Sequence, residues 1–326
     1  MERELVEKPP TGLYRRLLDG DRRAAARMIS MVENGDPAAR DILRQLHRHS
    51  GKAHILGLTG SPGSGKSTLA CRLALHYRRK GLSVGIIAVD PTSPFTGGAL
   101  LGDRVRMQEL AGDSQVFIRS MASRGALGGL ALATNDVINI LDAFGKELII
   151  VETVGAGQVE IEVVKYSHTC VVMAMPGGGD EIQAIKAGIL EIGDIFVVNK
   201  ADREGAMRTV SDLEMMLETR PGESTWKPPV LTTVALEDGG TSELADAIDS
   251  HHVFLSSSGL LEERTIQRMK AELMGILNMK VSLEAEKAFE EEGAGEELVR
   301  RMAAREIDPH TAADEMVSYL LRRAGR

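Results

Sequence analysis

The sequence predicts an α/β fold, a doubly wound and mostly parallel sheet carrying helical extensions at both ends. Three observations predict it. Seven short apolar runs lie between residues 54 and 235: HILGLT (54–59), SVGIIAVD (83–90), QVFIRSM (115–121), ELIIVET (147–153), TCVVMAM (169–175), DIFVVNK (194–200) and PVLTTVA (229–235). They are apolar almost throughout instead of alternating, as strands buried on both faces are. Helical stretches separate most of them, which is the pattern of a parallel sheet covered on each side. Aromatic residues make up only 3% of a chain that is 43% hydrophobic, so the core is aliphatic.

The elements fall into three regions. Residues 1–50 read as an N-terminal helical extension, rich in Arg, Ala and Leu. It breaks at Asn34-Gly35-Asp36-Pro37, where Asp36 can cap a helix that starts on Pro37. Residues 51–255 hold the seven strands and form the main domain. Residues 256–326 turn helical again after Ser256-Ser257-Ser258-Gly259. There Ile266, Met269, Leu273 and Ile276 follow 3-4-3 spacing, which suits either packing on the chain's own domain or a dimer seam. Asp308-Pro309 opens a last helix.

In a parallel doubly wound sheet, functional residues gather beyond the carboxyl ends of the strands, and the unusual residues of this chain fall there. The first run leads into Gly60-Ser61-Pro62-Gly63-Ser64-Gly65-Lys66-Ser67-Thr68. This matches GxxxxGK[ST], with a strand before it and a helix after it, on which Leu69, Leu73 and Tyr77 share a face. The glycines let backbone N–H groups converge on an anion, and the helix N-terminus adds positive potential. Lys66 is placed to reach the β- and γ-phosphates, and the Ser67 hydroxyl to ligate Mg²⁺.

Mg²⁺ takes hard oxygen ligands. Asp90 closes the second run, Glu152 ends the fourth, and Asp103 lies in the loop TSPFTGGALLGDRVRM. A carboxylate at the end of a buried strand is costly unless paired or bound to metal. Gly155 can offer its N–H to the γ-phosphate, and Gln158 is a candidate for positioning water.

Asn199-Lys200-Ala201-Asp202 ends the sixth run. Guanine presents an N1–H and an exocyclic amine on one edge, which one carboxylate can accept. Adenine leaves that carboxylate unpaired, so Asp202 selects GTP and GDP. Val234-Ala235 ends the next run, with backbone N–H groups placed to meet the guanine oxygen.

Four segments together resemble the MeaB/ArgK family, which includes the human methylmalonic aciduria type A protein. They are GSPGSGKST, AVDPTSPFTGGALLGDRVRM, ETVGAGQVE and GGGDEIQAIKAGILEIGDIFVVNKAD. DRRAAARMISMVE and IDPHTAADEMV also fit, so the resemblance covers most of the chain. It implies a P-loop GTPase of the SIMIBI class. Such a protein serves as a chaperone for an adenosylcobalamin-dependent acyl-CoA mutase, with methylmalonyl-CoA mutase the usual partner, and works as a homodimer. Lys66 and Ser67 match the family's P-loop, Asp90, Asp103 and Glu152 its Mg²⁺ environment, and Asp202 its guanine reader. Val234 departs from it, standing where a Ser is expected. The segment with Gly178, Asp180, Gln183 and Lys186 resembles a switch coupling nucleotide state to the partner, while Ile182, Ile185, Ile189 and Ile192 share an apolar face.

Two other functions share such a core. A GTPase inserting nickel into hydrogenase or urease needs soft or imidazole ligands. Here the eight histidines are scattered, with only His251-His252 adjacent, and Cys71 lacks a paired ligand. A P-loop kinase of a transport protein needs an acceptor-activating base and a lid, and neither is identifiable. Arg104, Arg106 and Arg124 are candidates for an arginine finger, though none stands out, so slow intrinsic hydrolysis is expected.

The net charge of −8 argues against a general nucleic-acid binder. No run reaches the roughly 20 apolar residues that span a bilayer. The N-terminus MERELVEKPP lacks the apolar core of a signal peptide. A cytoplasmic chain, complete as it stands, is expected, with Cys71 and Cys170 as reduced, buried thiols.

Overall fold

The computed structural model describes residues 12–90, 107–110, 112–122, 127–153, 166–177, 187–219, 225–290 and 293–324. The described residues open with three helices, α1 (Leu13–Leu18), α2 (Arg22–Glu33) and α3 (Pro37–Leu46). Asp21 caps α2 by accepting from the amides of Arg23 and Ala24. Asp36 caps α3 through Ala38 N at 2.9 Å, with Pro37 in the first turn where its missing N–H costs nothing.

The seven apolar runs all form strands. They are β1 (His54–Gly60), β2 (Val84–Asp90), β3 (Val116–Ala122), β4 (Leu148–Glu152), β5 (Thr169–Ala174), β6 (Ile195–Asn199) and β7 (Val230–Thr233). They make one sheet in the order β3-β2-β4-β1-β5-β6-β7, and every neighbouring pair is parallel. Between and after them run α4 (Lys66–Arg79), α5 (Leu127–Ala143), α6 (Ala187–Ile192), α7 (Ala206–Glu218) and α8 (Thr241–Ser258). Short 3₁₀ turns occupy His47–His49, Gln108–Leu110 and Ala235–Glu237.

Successive strand residues point to opposite faces, and two buried clusters show it. Ile55, Ile87, Ile149 and Val151 pack with Val137 and Leu141 of α5, and with Leu17, Ile29 and Ile42 of the N-terminal helices. Those helices therefore complete the layer over one face of the sheet. Arg119 on β3 pairs with Glu33 of α2, and Arg22 donates to Val116 O at 2.6 Å. On the other face Leu58, Ile86, Ile150 and Val171 pack with Leu69, Leu73 and Tyr77 of α4 and with Leu244 and Ile248 of α8. Phe196, Val198 and Val172 form a third cluster with Val210 and Leu213 of α7.

Residues 1–269 make one compact unit and 270–326 a second. The helix α9 (Leu260–Glu290) is followed by α10 (Ala294–Ala303) and α11 (Pro309–Ala324). α10 and α11 are tied by a two-pronged ion pair, Arg301 Nη1 and Nη2 to Glu315 Oε2 and Oε1 at 2.7 and 3.1 Å. Asp308 caps α11 as the sequence suggested. Ile266, Met269 and Leu273 are exposed on α9.

The histidines are less scattered than their positions suggest. Parallel pairing of β1 with β5, and packing of α8 against β5, bring His54, His168, His251 and His252 together at the amino ends of the strands. The His54 and His252 rings stack with centroids 4.2 Å apart. Thr169 Oγ1 lies 2.9 Å from both His54 Nε2 and His251 Nδ1. Among the described residues no group of three or more His, Cys, Asp or Glu is arranged to hold a metal ion. Cys71 and Cys170 are both free and buried, and burial raises both thiols above their ordinary pKa.

Candidate functional site

All seven strands run the same way, so their carboxyl ends share one edge, and a cavity of about 420 Å³ opens there. Pro62, Gly63, Gly65, Lys66, Ser67 and Thr68 form one side of it, Ala88, Val89, Glu152 and Thr153 another. Asn199, Lys200, Asp202, Val234 and Ala235 close the third. Motifs from five separate segments of the sequence thus meet in one place.

The loop between β1 and α4 needs its glycines for two reasons. Gly60 has φ +143, and a Cβ there would sit 2.2 Å from Met173 O. Gly65 has φ +95, and a Cβ would sit 2.4 Å from Asn199 Nδ2. Only glycine takes these conformations without strain and leaves room for the neighbouring strand ends. From Gly65 the helix begins at once, so the amides of its first turn have no partners within the helix and suit an anion. Lys66 is buried, and its ammonium donates to Gly60 O at 2.7 Å and Ser61 O at 3.0 Å.

Ser67 Oγ donates to Glu152 Oε1 at 2.5 Å, and both side chains are buried. The hydroxyl and the carboxylate are hard oxygen donors of the kind Mg²⁺ takes, and they face one cavity, so the residues present fit that ion. Asp90 is the last residue of β2, its backbone paired with Ala122, two residues beyond the cavity-lining Ala88. The Asp90 side chain, Asp103, Gly155 and Gln158 lie outside the described residues, as do Gly178, Asp180, Gln183 and Lys186.

Asn199 does more than sequence reasoning assigns to it. Its Nδ2 donates to Ser64 O at 2.7 Å, and its Oδ1 accepts from Thr233 Oγ1 at 3.0 Å and Ala235 N at 3.1 Å. It therefore clamps the phosphate loop to the loop after β7. Lys200 adopts a left-handed backbone (φ 59), uncommon outside glycine, and its ammonium donates to Gly63 O at 2.7 Å. Asp202 is exposed at the rim.

The amides of Val234 and Ala235, expected to face the base oxygen, are engaged within the protein. Val234 N donates to Gly239 O at 2.9 Å, and Ala235 N to Asn199 Oδ1. Their residues still line the cavity, together with Arg203, Leu236 and Glu237, which no motif marked. Leu236 was findable as the apolar residue that follows the run PVLTTVA (229–235). Gly60, Ser61 and Ser64, which belong to the same loop as the cradle, are not among the residues that line the cavity.

Comparison with known proteins agrees with this geometry. The family described as "Methylmalonyl Co-A mutase-associated GTPase MeaB" matches residues 25–290. A relative from Pyrococcus abyssi is 49% identical, over 95% of this chain and 96% of its own length. The "Methylmalonic aciduria type A homolog, mitochondrial" of Caenorhabditis elegans is 28% identical, over 94% of this chain and 81% of its own. Among solved structures, one titled "Crystal structure of LAO/AO transport system kinase" superposes with a TM-score of 0.73. It is 26% identical, covering 96% of this chain and 98% of that one. With the phosphate cradle, the strand-end Glu152 and the NKxD segment around one cavity, the chain belongs to the MeaB family of GTPases.

Proposed function

We propose that this GTPase is a chaperone for an adenosylcobalamin-dependent acyl-CoA mutase of the methylmalonyl-CoA mutase type, gating delivery of the cofactor and protecting the mutase. The observation that carries the reading is the family match over 25–290, whose description names that mutase. The name of the Caenorhabditis elegans relative supports it.

In this reading Lys66 moves from the Gly60 and Ser61 carbonyls onto the β- and γ-phosphates of GTP. Ser67, Glu152, Asp90 and Asp103 hold or orient Mg²⁺, and Asp202 reads the guanine edge. Mg²⁺, when bound, neutralises charge on the phosphates. Gly155 reports the γ-phosphate through its N–H. Gly178, Asp180, Gln183 and Lys186 couple the nucleotide state to the mutase. The exposed apolar residues Ile266, Met269 and Leu273 of α9 support a homodimer, and no described helix is long and apolar enough to cross a membrane.

The test is sedimentation of the purified protein mixed with such a mutase, once with GDP and once with a non-hydrolysable GTP analogue. A complex whose affinity differs between the two states supports the reading. Independent sedimentation in both states contradicts it.

A further inference from the structure

The loop after β7 carries part of the base site, and it is held mainly through its backbone. Its backbone closes on itself through Val234 N to Gly239 O, Gly239 N to Val234 O at 3.2 Å and Glu237 N to Val234 O at 2.9 Å. Beyond that, side chains from elsewhere hold it. Asn199 takes the amide of Ala235. Arg72, a residue of α4 that no motif includes, takes two of the loop's carbonyls.

Arg72 Nε donates to Ala235 O at 3.2 Å, and Nη2 to Leu236 O at 3.4 Å. Its Nη1 pairs with Glu109 Oε2 at 3.1 Å, which fixes the plane of the guanidinium. Two helical turns further along α4, Arg79 reaches Asp238 of the same loop at 3.1 Å. Arg72 is half-buried, with 23% of its side chain exposed, so its bond to Ala235 O is shielded more than the Arg79 pair, where the arginine is 63% exposed.

The consequence follows from peptide geometry. A trans peptide points its C=O and N–H in opposite directions. The Ala235 carbonyl and the Leu236 N–H belong to one peptide, so Arg72, by holding Ala235 O, sets where the Leu236 N–H points. The Val234 and Ala235 amides are already engaged, and Leu236 lines the cavity. We propose that Arg72 is a positioning residue for base recognition, orienting the Ala235–Leu236 peptide so that the Leu236 N–H donates to the 6-oxygen of guanine. The inference rests on the guanine-reading assignment of this cavity and gives Arg72 the positioning of the backbone contact to the guanine oxygen, which is separate from Asp202.

The two contacts have different signatures. Hypoxanthine keeps the 6-oxygen of guanine and lacks its exocyclic amine, whereas adenine lacks the 6-oxygen. Equilibrium binding of GDP, IDP, ADP and pyrophosphate is therefore measured for the wild type, Arg72→Met and Arg72→Lys. Met keeps the aliphatic packing and loses every hydrogen bond. A lost charge-assisted hydrogen bond predicts a roughly tenfold rise in Kd for both GDP and IDP, with their ratio unchanged. ADP and pyrophosphate, which never used the contact, keep their wild-type affinities. Lys restores part of the loss, because a single ammonium can reach one carbonyl.

Equal weakening of all four ligands in Arg72→Met would mean that Arg72 merely supports the cradle, and would overturn the proposal. Unchanged GDP and IDP binding would overturn it too. Asp202→Asn run alongside separates the two assignments. It shifts the ratio of GDP to IDP if the carboxylate reads the exocyclic amine, whatever Arg72 does.

Discussion

Ser67 and Glu152 stand 85 positions apart in sequence and meet at 2.5 Å beside the phosphate cradle. The first turn of α4 and the last residue of β4 are thereby joined through two buried oxygen donors. A carboxylate buried at a strand end is costly without such a partner. The pairing explains why both residues occur where the sheet order sets β1 beside β4.

Ser67→Ala is expected to lower GTP turnover roughly 100-fold, about 2.7 kcal/mol in the barrier. It also raises the Mg²⁺ concentration needed for half-maximal rate. Steady-state assays across a Mg²⁺ titration check both. An unchanged Mg²⁺ dependence would separate Ser67 from the metal.

Asp202→Asn exchanges a double acceptor for one donor and one acceptor. The amide no longer matches the N1–H and amine of guanine, but does match the N1–H and 2-oxo group of xanthine. GTP affinity is expected to fall at least roughly tenfold while XTP affinity rises. Competition binding of the two nucleotides gives the answer directly.

Asp194 accepts from Cys170 N at 2.8 Å and from Arg264 Nη1 and Nη2 at 2.9 and 2.8 Å. Arg264 also donates to His168 O at 2.5 Å, and Trp226 Nε1 to Asp194 O at 2.8 Å. Asp194→Ala removes the acceptor at the centre of this network, at a cost of about 3 kcal/mol. Denaturant unfolding of the 1–269 unit should show it, whereas a loss below about 0.5 kcal/mol would mark an ordinary surface pair.

The histidine cluster predicts acid sensitivity. Burial pushes His54 down to about 2, with neighbouring imidazoles adding to the shift. Burial pushes His168 down to about 3, helped by Arg268, His252 and Arg264. His251 falls to about 4, burial outweighing the nearby Asp194, and burial also lowers His252. In the unfolded chain these groups take up protons near pH 6.5, while the folded protein keeps them neutral. The unfolded state then binds more protons, so stability is full above pH 6.5 and is lost as pH falls toward 4 and below. Each buried imidazole contributes roughly 1.4 kcal/mol per pH unit in that window. Thermal unfolding at pH 7, 6 and 5 should show a falling Tm, with a shallower slope in His54→Gln. A Tm independent of pH over that range would contradict it.

Much of this was legible in the sequence because the signals are local. An apolar run bounded by breakers gives a strand, and Asp36-Pro37 or Asp308-Pro309 gives a helix start. A glycine-rich turn between strand and helix gives a phosphate cradle. Strand order was not legible, because parallel pairing joins segments far apart in the chain. What depends on it was hidden as well. His54 and His168 look unrelated until β1 lies beside β5. Asn199 looks like part of a base reader, and only the packed structure shows it clamping Ser64 to Ala235. Arg72 sits in an ordinary amphipathic helix, and its hold on the loop after β7 has no sequence signature.

The central claim is that GTP hydrolysis here serves a mutase. The most direct measurement is GTP turnover with and without a purified adenosylcobalamin-dependent acyl-CoA mutase from the same organism, for wild type and Lys186→Ala. The account predicts stimulation of about tenfold or more, at least ~1.4 kcal/mol of added transition-state stabilisation. Lys186→Ala should lose that stimulation while keeping basal turnover. Clean hydrolysis indifferent to every such mutase would leave a GTPase and remove the partner, contradicting the account.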